Sequence, residues 1–543
     1  MNELLFTLAL ALPLGLLLAC FAPAVRRWMP RLLWLAPLPA LLLALLPDAP
    51  AAWVVGNAHF SLHFALDMPG RILLGVAALL WTLAGLYAQG WLRLEKHGGG
   101  FVVTWLMSLT GLIGVFLAAD LISFYFLLAV LSFGASGMVL QGRGSDALRA
   151  GSIYLGLALL AEAFLLAAFV LLAAATPNAS LLIADAAAAL PQAAQRELIL
   201  ALLLLGFGMK AGLVPLHFWM PLAYAAAPIP AAAVLSGAVV KASVLGLLRF
   251  LPASFAAPDF GLPLATLGLF AAFYGVAIGI TQRHPKHILA YSSVSQMGFI
   301  LAMIGMGLAS DAAGVALAVA FYAAHHVLVK GALFLAVGVV AHSGRKHLTA
   351  IFLPAVIIAL GLGGLALSGG ALAKYLAKDL MGEGLAGTLA MLTSVTSSLL
   401  MLHLLHRLWL EQHQQRETHA PCGLIWPWLG MALAAVLIPW ALYLTLPLGT
   451  LQQALALKSL WDGLWPVLLG GLLFLALLRA PGALPVIAPG DVIAVLRPLG
   501  QVNAALGKFG VALDNYSRRW LVATLSLVAL AIAFVSLLAN MVG

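Results

Sequence analysis

Long apolar runs recur from one end of this 543-residue chain to the other, separated by short polar gaps, and they narrow the possible folds more than any other feature. They lie near 4–22, 32–47, 72–91, 101–119, 121–140, 150–175, 198–218, 231–250, 262–281, 288–308, 312–342, 350–374, 386–406, 424–446, 463–479 and 520–541. About 20 apolar residues in a helix match the hydrocarbon thickness of a bilayer. The runs are continuous rather than alternating, which excludes a β-barrel and leaves helices, whose backbone groups pair internally in lipid. Only 8% of the residues are charged, against roughly 25% in a soluble domain, so a solvated surface cannot be built. The sequence predicts an all-α polytopic membrane protein with about sixteen transmembrane helices, most of its surface facing lipid.

The net charge of +9 does not point to nucleic acid, because the basic residues sit in short gaps and not in an aromatic-laced cluster. Cys20 and Cys422 form no CxxC pattern, which removes iron–sulfur ligation and argues against a structural zinc site. No cofactor is expected. LLAC, ending at Cys20, looks like a lipoprotein cleavage site, but MNELL lacks the positive n-region of a signal peptide. Residues 4–20 read better as the first membrane helix.

Orientation follows from the loops. Arg26, Arg27, Arg31, Arg93, Lys96, Arg143, Arg149, Arg283, Lys286, Arg345, Lys346, Arg407, Arg416, Arg479, Arg497, Lys508, Arg518 and Arg519 fall on one side, and only Arg71, Arg196, Lys378 and Lys458 on the other. The richer side is expected to be cytoplasmic, which puts both termini outside. Residues 480–519 form the longest cytoplasmic connection and are expected to include an amphipathic surface helix. Arg249, at a helix end, is expected to snorkel.

Lys210, Lys241, Lys330 and Lys374 lie inside apolar runs. Each lysine at the bilayer centre costs roughly 2.5–3.5 kcal/mol on insertion scales, so such residues usually face the bundle interior and mark an ion or proton route. Static pairing with a carboxylate or with backbone carbonyls is the structural alternative. Glycines and a proline crowd two of these lysines. LLLLGFGMKAGLVPLHFWMP, residues 202–221, carries Gly206, Gly208, Gly212 and Pro215 around Lys210, and GLGGLALSGGALAKYL, residues 361–376, leads into Lys374. Interrupted helices expose carbonyls that can hold ions and water, whereas small residues can also serve packing alone. Lys210 falls in the seventh run and Lys374 in the twelfth, so five-run units 4–8 and 9–13 match in order and run inverted to each other.

In FYAAHHVLVKGALF, His326 and Lys330 stand at i and i+4 on one helix face, with His325 adjacent. Histidine titrates near physiological pH, so this face could pass a proton; a packed neutral histidine is the alternative. His217 lies just beyond Pro215. His403 and His406 approach the cytoplasmic end of their run and read as surface residues. Glu162, in LLAEAFLL, is the only carboxylate deep within a run and the candidate partner of Lys210.

Two segments, FGMKAGLVPLHFWMPLAYAAAPIPAAAVLSGAVVK and HILAYSSVSQMGFI, resemble signature regions of the antiporter-like membrane subunits of respiratory complex I, Mrp-type cation/proton antiporters and membrane-bound hydrogenases. The resemblance covers about residues 100–410. It implies a fourteen-helix core with two inverted five-helix repeats, 101–250 and 262–410, broken helices seven and twelve, N-terminal helices in 1–100 and C-terminal helices in 424–543. It also implies a hydrated mid-membrane axis, on which Lys210, Lys241, His326, Lys330 and Lys374 match the family's basic positions. The family's helix-five glutamate, within a pattern like DLxxFxxxWE, is replaced by Ala129 in DLISFYFLLAV. Either Glu162 on the next helix substitutes, or the first channel lacks its usual pair. LSG before Lys241 favours the branch near hydrogenase-4 component B and Mrp D-type subunits.

The expectation is a proton- or cation-translocating subunit of a larger complex in a prokaryotic inner membrane, partnered by other membrane subunits, with any redox chemistry in those partners. A sodium/proton antiporter without redox drive, and a scaffold with an impaired first channel, are the rival readings.

Overall fold

Leu-, Ala- and Gly-rich stretches in lipid must pair their backbone groups internally, and this chain does so almost throughout as helix. The computed structural model describes residues 2–46, 52–57, 61–95, 99–142, 144–251, 256–310, 314–343, 348–412, 421–480, 484–485 and 487–490. In order, the main helices are α1 (Asn2–Ala19), α2 (Leu38–Leu45), α3 (Met68–Glu95), α4 (Gly99–Leu117), α5 (Leu121–Leu140), α6 (Ser145–Ala175), α7 (Arg196–Ala211), α8 (Trp219–Ala226) and α9 (Ile229–Val234). They continue as α10 (Lys241–Phe250), α11 (Pro258–Gly279), α12 (Pro285–Ser310), α13 (Val315–Ala341), α14 (Leu348–Gly363), α15 (Gly369–Met381), α16 (Leu385–Gln412), α17 (Cys422–Thr445) and α18 (Leu457–Arg479). Met1–Pro489 form one compact unit; Gly490–Gly543 group separately and, beyond Gly490, lie outside the described residues.

Among the described residues, twelve helical segments are long and apolar enough to cross a bilayer, or thirteen if α1 is counted with its bent continuation. The run at 520–541 and most of the 480–519 connection fall outside the described residues. Run 32–47 folds differently from a full span. Its helix, α2, has only 8 residues, about 12 Å at 1.5 Å per residue. Pro37 and Pro39 explain the late start, since proline suits a first helical turn and not a helix interior.

Among the described residues one element is not helical. β1 (Ala52–Gly56) and β2 (Ser61–Ala65) form an antiparallel hairpin in which Trp53 faces Phe64. The bridge Phe64↔Ala118 ties it to the α4–α5 junction, and the bridge Asp120↔Leu182 ties that junction to the segment after α6. Asp120 caps α5, accepting from Ser123 N at 2.8 Å and from His63 N at 2.7 Å, and so holds the hairpin against the helix it starts. Arg249 does not snorkel. Its guanidinium bonds Asp67 at 2.8 and 3.1 Å and donates to the carbonyls of Val115, Phe116 and Ala118 at the end of α4. The free carbonyls of a helix C-terminus favour a cation there.

The middle of the molecule is packed by small residues. A Cβ on Gly268 of α11 would lie 2.5 Å from Gly298 O and 2.6 Å from Ala302 N of α12. Backbones this close require glycine. The apolar windows of α12 and α13 are wholly buried, whereas that of α18 is 22% buried. Helix α13, which carries His325, His326 and Lys330, therefore has no lipid face over that window, and its polar groups must find partners inside the protein.

Candidate functional site

Lys210 occupies the last turn of α7, which ends at Gly212 in the left-handed conformation with φ 79°. Gly212 N and Leu213 N bond back to Met209 O and Gly208 O, a glycine-dependent closure of the helix end. Trp219 Nε1 donates to Met209 O at 3.0 Å. The chain resumes as α8 after a short helical turn, Leu216–Phe218. At this break the Lys210 ammonium donates to Glu162 Oε1 of α6 and to Ser132 Oγ of α5, both at 2.8 Å, and Ser132 Oγ donates to Glu162 Oε1 at 2.6 Å. Three helices thus meet in one charge-assisted triad. Ser132 lies three residues beyond Ala129 on the same helix, so α5 supplies a hydroxyl and α6 the carboxylate. Beside the triad is a cavity of about 30 Å³, lined also by Tyr154, Tyr224, Val240 and Ser243, enough for a water.

Lys241 follows directly on a π-helical stretch, Leu235–Val239, which leads out of α9. A π-turn widens the helix and re-aims the next side chains, and such turns are frequent at functional sites. Lys241 Nζ stands 2.7 Å from His326 Nδ1 and 3.4 Å from Met297 Sδ. Lys241, His326 and Lys330 each have 0% exposure. Lys330 Nζ donates to Leu289 O at 2.8 Å. Among the described residues no carboxylate pairs with Lys241 or Lys330. Four residues before His326, Tyr322 donates to Gln296 Oε1 at 2.8 Å, and Gln296 Nε2 donates to Ser397 Oγ of α16 at 3.0 Å. Tyr322, His326 and Lys330 recur every four residues, on one face of α13.

Lys374, in α15, reaches back across the interruption that follows α14. Its Nζ donates to Gly363 O, the end of α14, and to Ser394 Oγ of α16, both at 2.9 Å. Gly364 has φ 97° and Leu367 φ 65°. For leucine that is a strained conformation, and Trp440 Nε1 holds its carbonyl at 3.0 Å. At each interrupted stretch an indole N–H thus takes up a backbone carbonyl, but only at Lys374 does the ammonium bond a carbonyl as well. A cavity of about 70 Å³ adjoins Lys374.

The two adjacent histidines of α13 face different neighbours. His326 meets Lys241, while His325 packs on Gly369 and Gly370 at the start of α15, where a Cβ would sit 2.9–3.0 Å from its ring nitrogens. His217 stands apart, fully buried against the rings of Tyr274 and Tyr291 at 5.1 and 6.4 Å. His403 bonds Gln282 O and His406 packs on Phe474, both structural contacts. Sequence reasoning missed Ser132, Tyr322, Gln296, Ser394 and Ser397. Two signals stood in the text: hydroxyls massed inside an apolar run in LTSVTSSLL, and the polar YSSVSQM. Lys286, read as a loop charge, instead donates to the carbonyls of Ala225 and Ala227 at the end of α8.

Fold and site together define a multi-pass membrane protein with basic side chains buried across its middle. The chain belongs to the family described as NADH:quinone oxidoreductase/Mrp antiporter, TM, whose profile matches residues 118–399, just over half of its length. It is 34% identical over 271 residues to NADH-quinone oxidoreductase subunit N of Desulforudis audaxviator, covering 49% of this chain and 52% of that one. It is 27% identical over 302 residues to hydrogenase-4 component B of Escherichia coli, covering 53% and 44% respectively. The chain spans about half the length of the curated relatives it matches. A chain in the structure of the membrane-bound sulfane sulfur reductase, an archaeal respiratory membrane complex, shares the fold with a TM-score of 0.73 at 22% identity, over 98% of this chain and 100% of that one.

Proposed function

We propose that the protein carries protons through the membrane along this line of buried bases, as one subunit of a larger energy-converting complex in a prokaryotic inner membrane. The observation that carries the reading is the Lys241–His326 contact: an amine and an imidazole 2.7 Å apart, neither exposed, with no carboxylate paired to them among the described residues. Two bases at this distance hold one proton between them more readily than two, because like charges this close in a low-dielectric interior repel strongly. Such a pair is poised to accept and pass on a proton, and among the described residues Lys241 bonds neither a carboxylate nor a backbone carbonyl, the two partners of a static lysine.

The route begins at Glu162–Lys210, where Glu162 takes the place of the carboxylate absent at Ala129. It crosses the small cavity toward the residues flanking Lys241, passes to His326 and Lys330 on α13, and reaches Lys374 through the Tyr322–Gln296–Ser397 chain and the hydroxyl face of α16. His325, against the α14–α15 interruption, is the second group able to bridge α13 to Lys374; His217 lies off this line. Residues 101–250 and 262–410 form the two inverted five-helix units of a fourteen-helix core, with helices seven and twelve broken at Lys210 and before Lys374. Both termini lie on the outer side. Energy enters from partner subunits, which shift the protonation of these bases in turn.

Lys241→Met and Lys374→Met, made in the whole complex and assayed as proton uptake by inverted membrane vesicles, should each abolish uptake while the complex still assembles. Normal uptake by either assembled variant would remove the assignment.

A further inference from the structure

Helix α18 lies beyond the family match, yet it closes the cavity beside Lys374. Its Gly463 sits directly on the interruption after α14, where a Cβ would lie 3.0 Å from Ala366 Cα and 3.1 Å from Gly364 O. This seating brings the preceding residue, Asp462, to the cavity wall together with Ser459. Lys378, one helical turn beyond Lys374 on α15, lines the same cavity and pairs with Asp462 at 3.1 Å. The Lys378 and Asp462 side chains are 35% and 32% exposed, so the cavity runs from a half-buried amine to a wet carboxylate. About 10–15 Å³ suffices for one water, and about 70 Å³ therefore admits several.

We infer that this cavity is the aqueous outlet of Lys374 on the outer face, with Asp462 of α18 as the carboxylate that takes the proton at its mouth. The inference rests on the proposed role of Lys374. In the step, the Lys374 ammonium gives a proton through water to the Asp462 carboxylate, leaving a neutral amine and a carboxylic acid. The acid releases Lys378, which keeps its charge, and then loses its proton to bulk water. The carboxylate is restored and the ion pair re-forms. A pair a third exposed to solvent is weakly held, so breaking it in each cycle obstructs little.

Proton uptake by vesicles carrying the whole complex tests the role. Asp462→Asn should slow uptake by about 100-fold, the range of a lost proton-transfer group, and Asp462→Glu should return most of the rate. The exchange Lys378→Asp with Asp462→Lys re-forms the ion pair but moves the acid from α18 to α15, away from the mouth position, and it should recover less of the rate than Asp462→Glu. Sidedness is read by placing Ser394→Cys, or Ser459→Cys if the former does not assemble, on a Cys20→Ala, Cys422→Ser background. A small membrane-impermeant thiol reagent should reach that cysteine from the outer face only. Normal uptake by Asp462→Asn, full activity of the exchanged pair, or labelling from the cytoplasmic face or from neither would overturn the outlet. Lys374→Met distinguishes the levels: if it is inactive while Asp462→Asn is normal, only the outlet fails, and if it is active, the role of Lys374 fails with it.

Discussion

Glu162→Gln removes one charge from the triad and keeps its shape. Lys210 then retains Ser132 Oγ and an amide oxygen where it had a carboxylate at 2.8 Å. Breaking a buried ion pair from one side costs about 3–5 kcal/mol. With the Lys210 side chain 11% exposed and a water-sized cavity beside it, the lower end applies. A penalty of about 3 kcal/mol on the ammonium alone lowers its population relative to the neutral amine by roughly 100-fold, at 1.36 kcal/mol per tenfold. Any transport step that needs a protonated Lys210 slows by up to that factor. Inverted vesicles carrying the whole complex should therefore show proton uptake reduced by one to two orders of magnitude, with the complex assembled. The companion variant moves the acid: Ala129→Glu with Glu162→Ala places a carboxylate one turn from Ser132 on α5, and should recover much of the lost rate. Wild-type uptake by Glu162→Gln would refute the reasoning. So would an assembled relocation variant no faster than Glu162→Ala, which would mean that α6 matters for something other than its charge.

Other consequences are separable. His326→Gln keeps a hydrogen-bonding group near Lys241 but cannot titrate. It should stop uptake, as should Lys241→Met, and a double-mutant cycle of the two read in thermal stability should be non-additive, because the side chains touch. Arg249→Ala strips the end of α4 of its donors; hydrogen bonds to charged groups contribute about 1.5–3 kcal/mol each, so the purified complex should lose thermal stability while its uptake per assembled complex is unchanged. Gly268→Leu forces a side chain into backbone 2.5 Å away and should prevent stable assembly, seen as aggregation on size-exclusion chromatography, whereas Gly268→Ala should be milder but still destabilising.

The sequence revealed much of this because lipid simplifies the reading. A charge inside an apolar run stands out, so the four intramembrane lysines, His326 and Glu162 were visible without a fold, and glycines at 206–212 and 361–370 marked where the helix would loosen. Partners were harder. Glu162 was legible as the mate of Lys210 only because no other acid lay deep in a run; Tyr322, Gln296 and Ser397 lie far apart in sequence and meet only when α12, α13 and α16 pack. The hairpin Ala52–Ala65 hid in a gap between runs, where its alternation spans too few residues to register. Arg249 read as a snorkelling cation because local sequence cannot show that α4 ends beside it, with Asp67 waiting.

Lys330→Met tests the whole idea most directly. Among the described residues Lys330 bonds only a backbone carbonyl, Leu289 O, so its replacement by an apolar chain of similar length breaks no ion pair there and should leave the packing intact. If buried amines hand protons along this line, the assembled variant takes up none. Uptake at the wild-type rate, with assembly unchanged, would contradict the account.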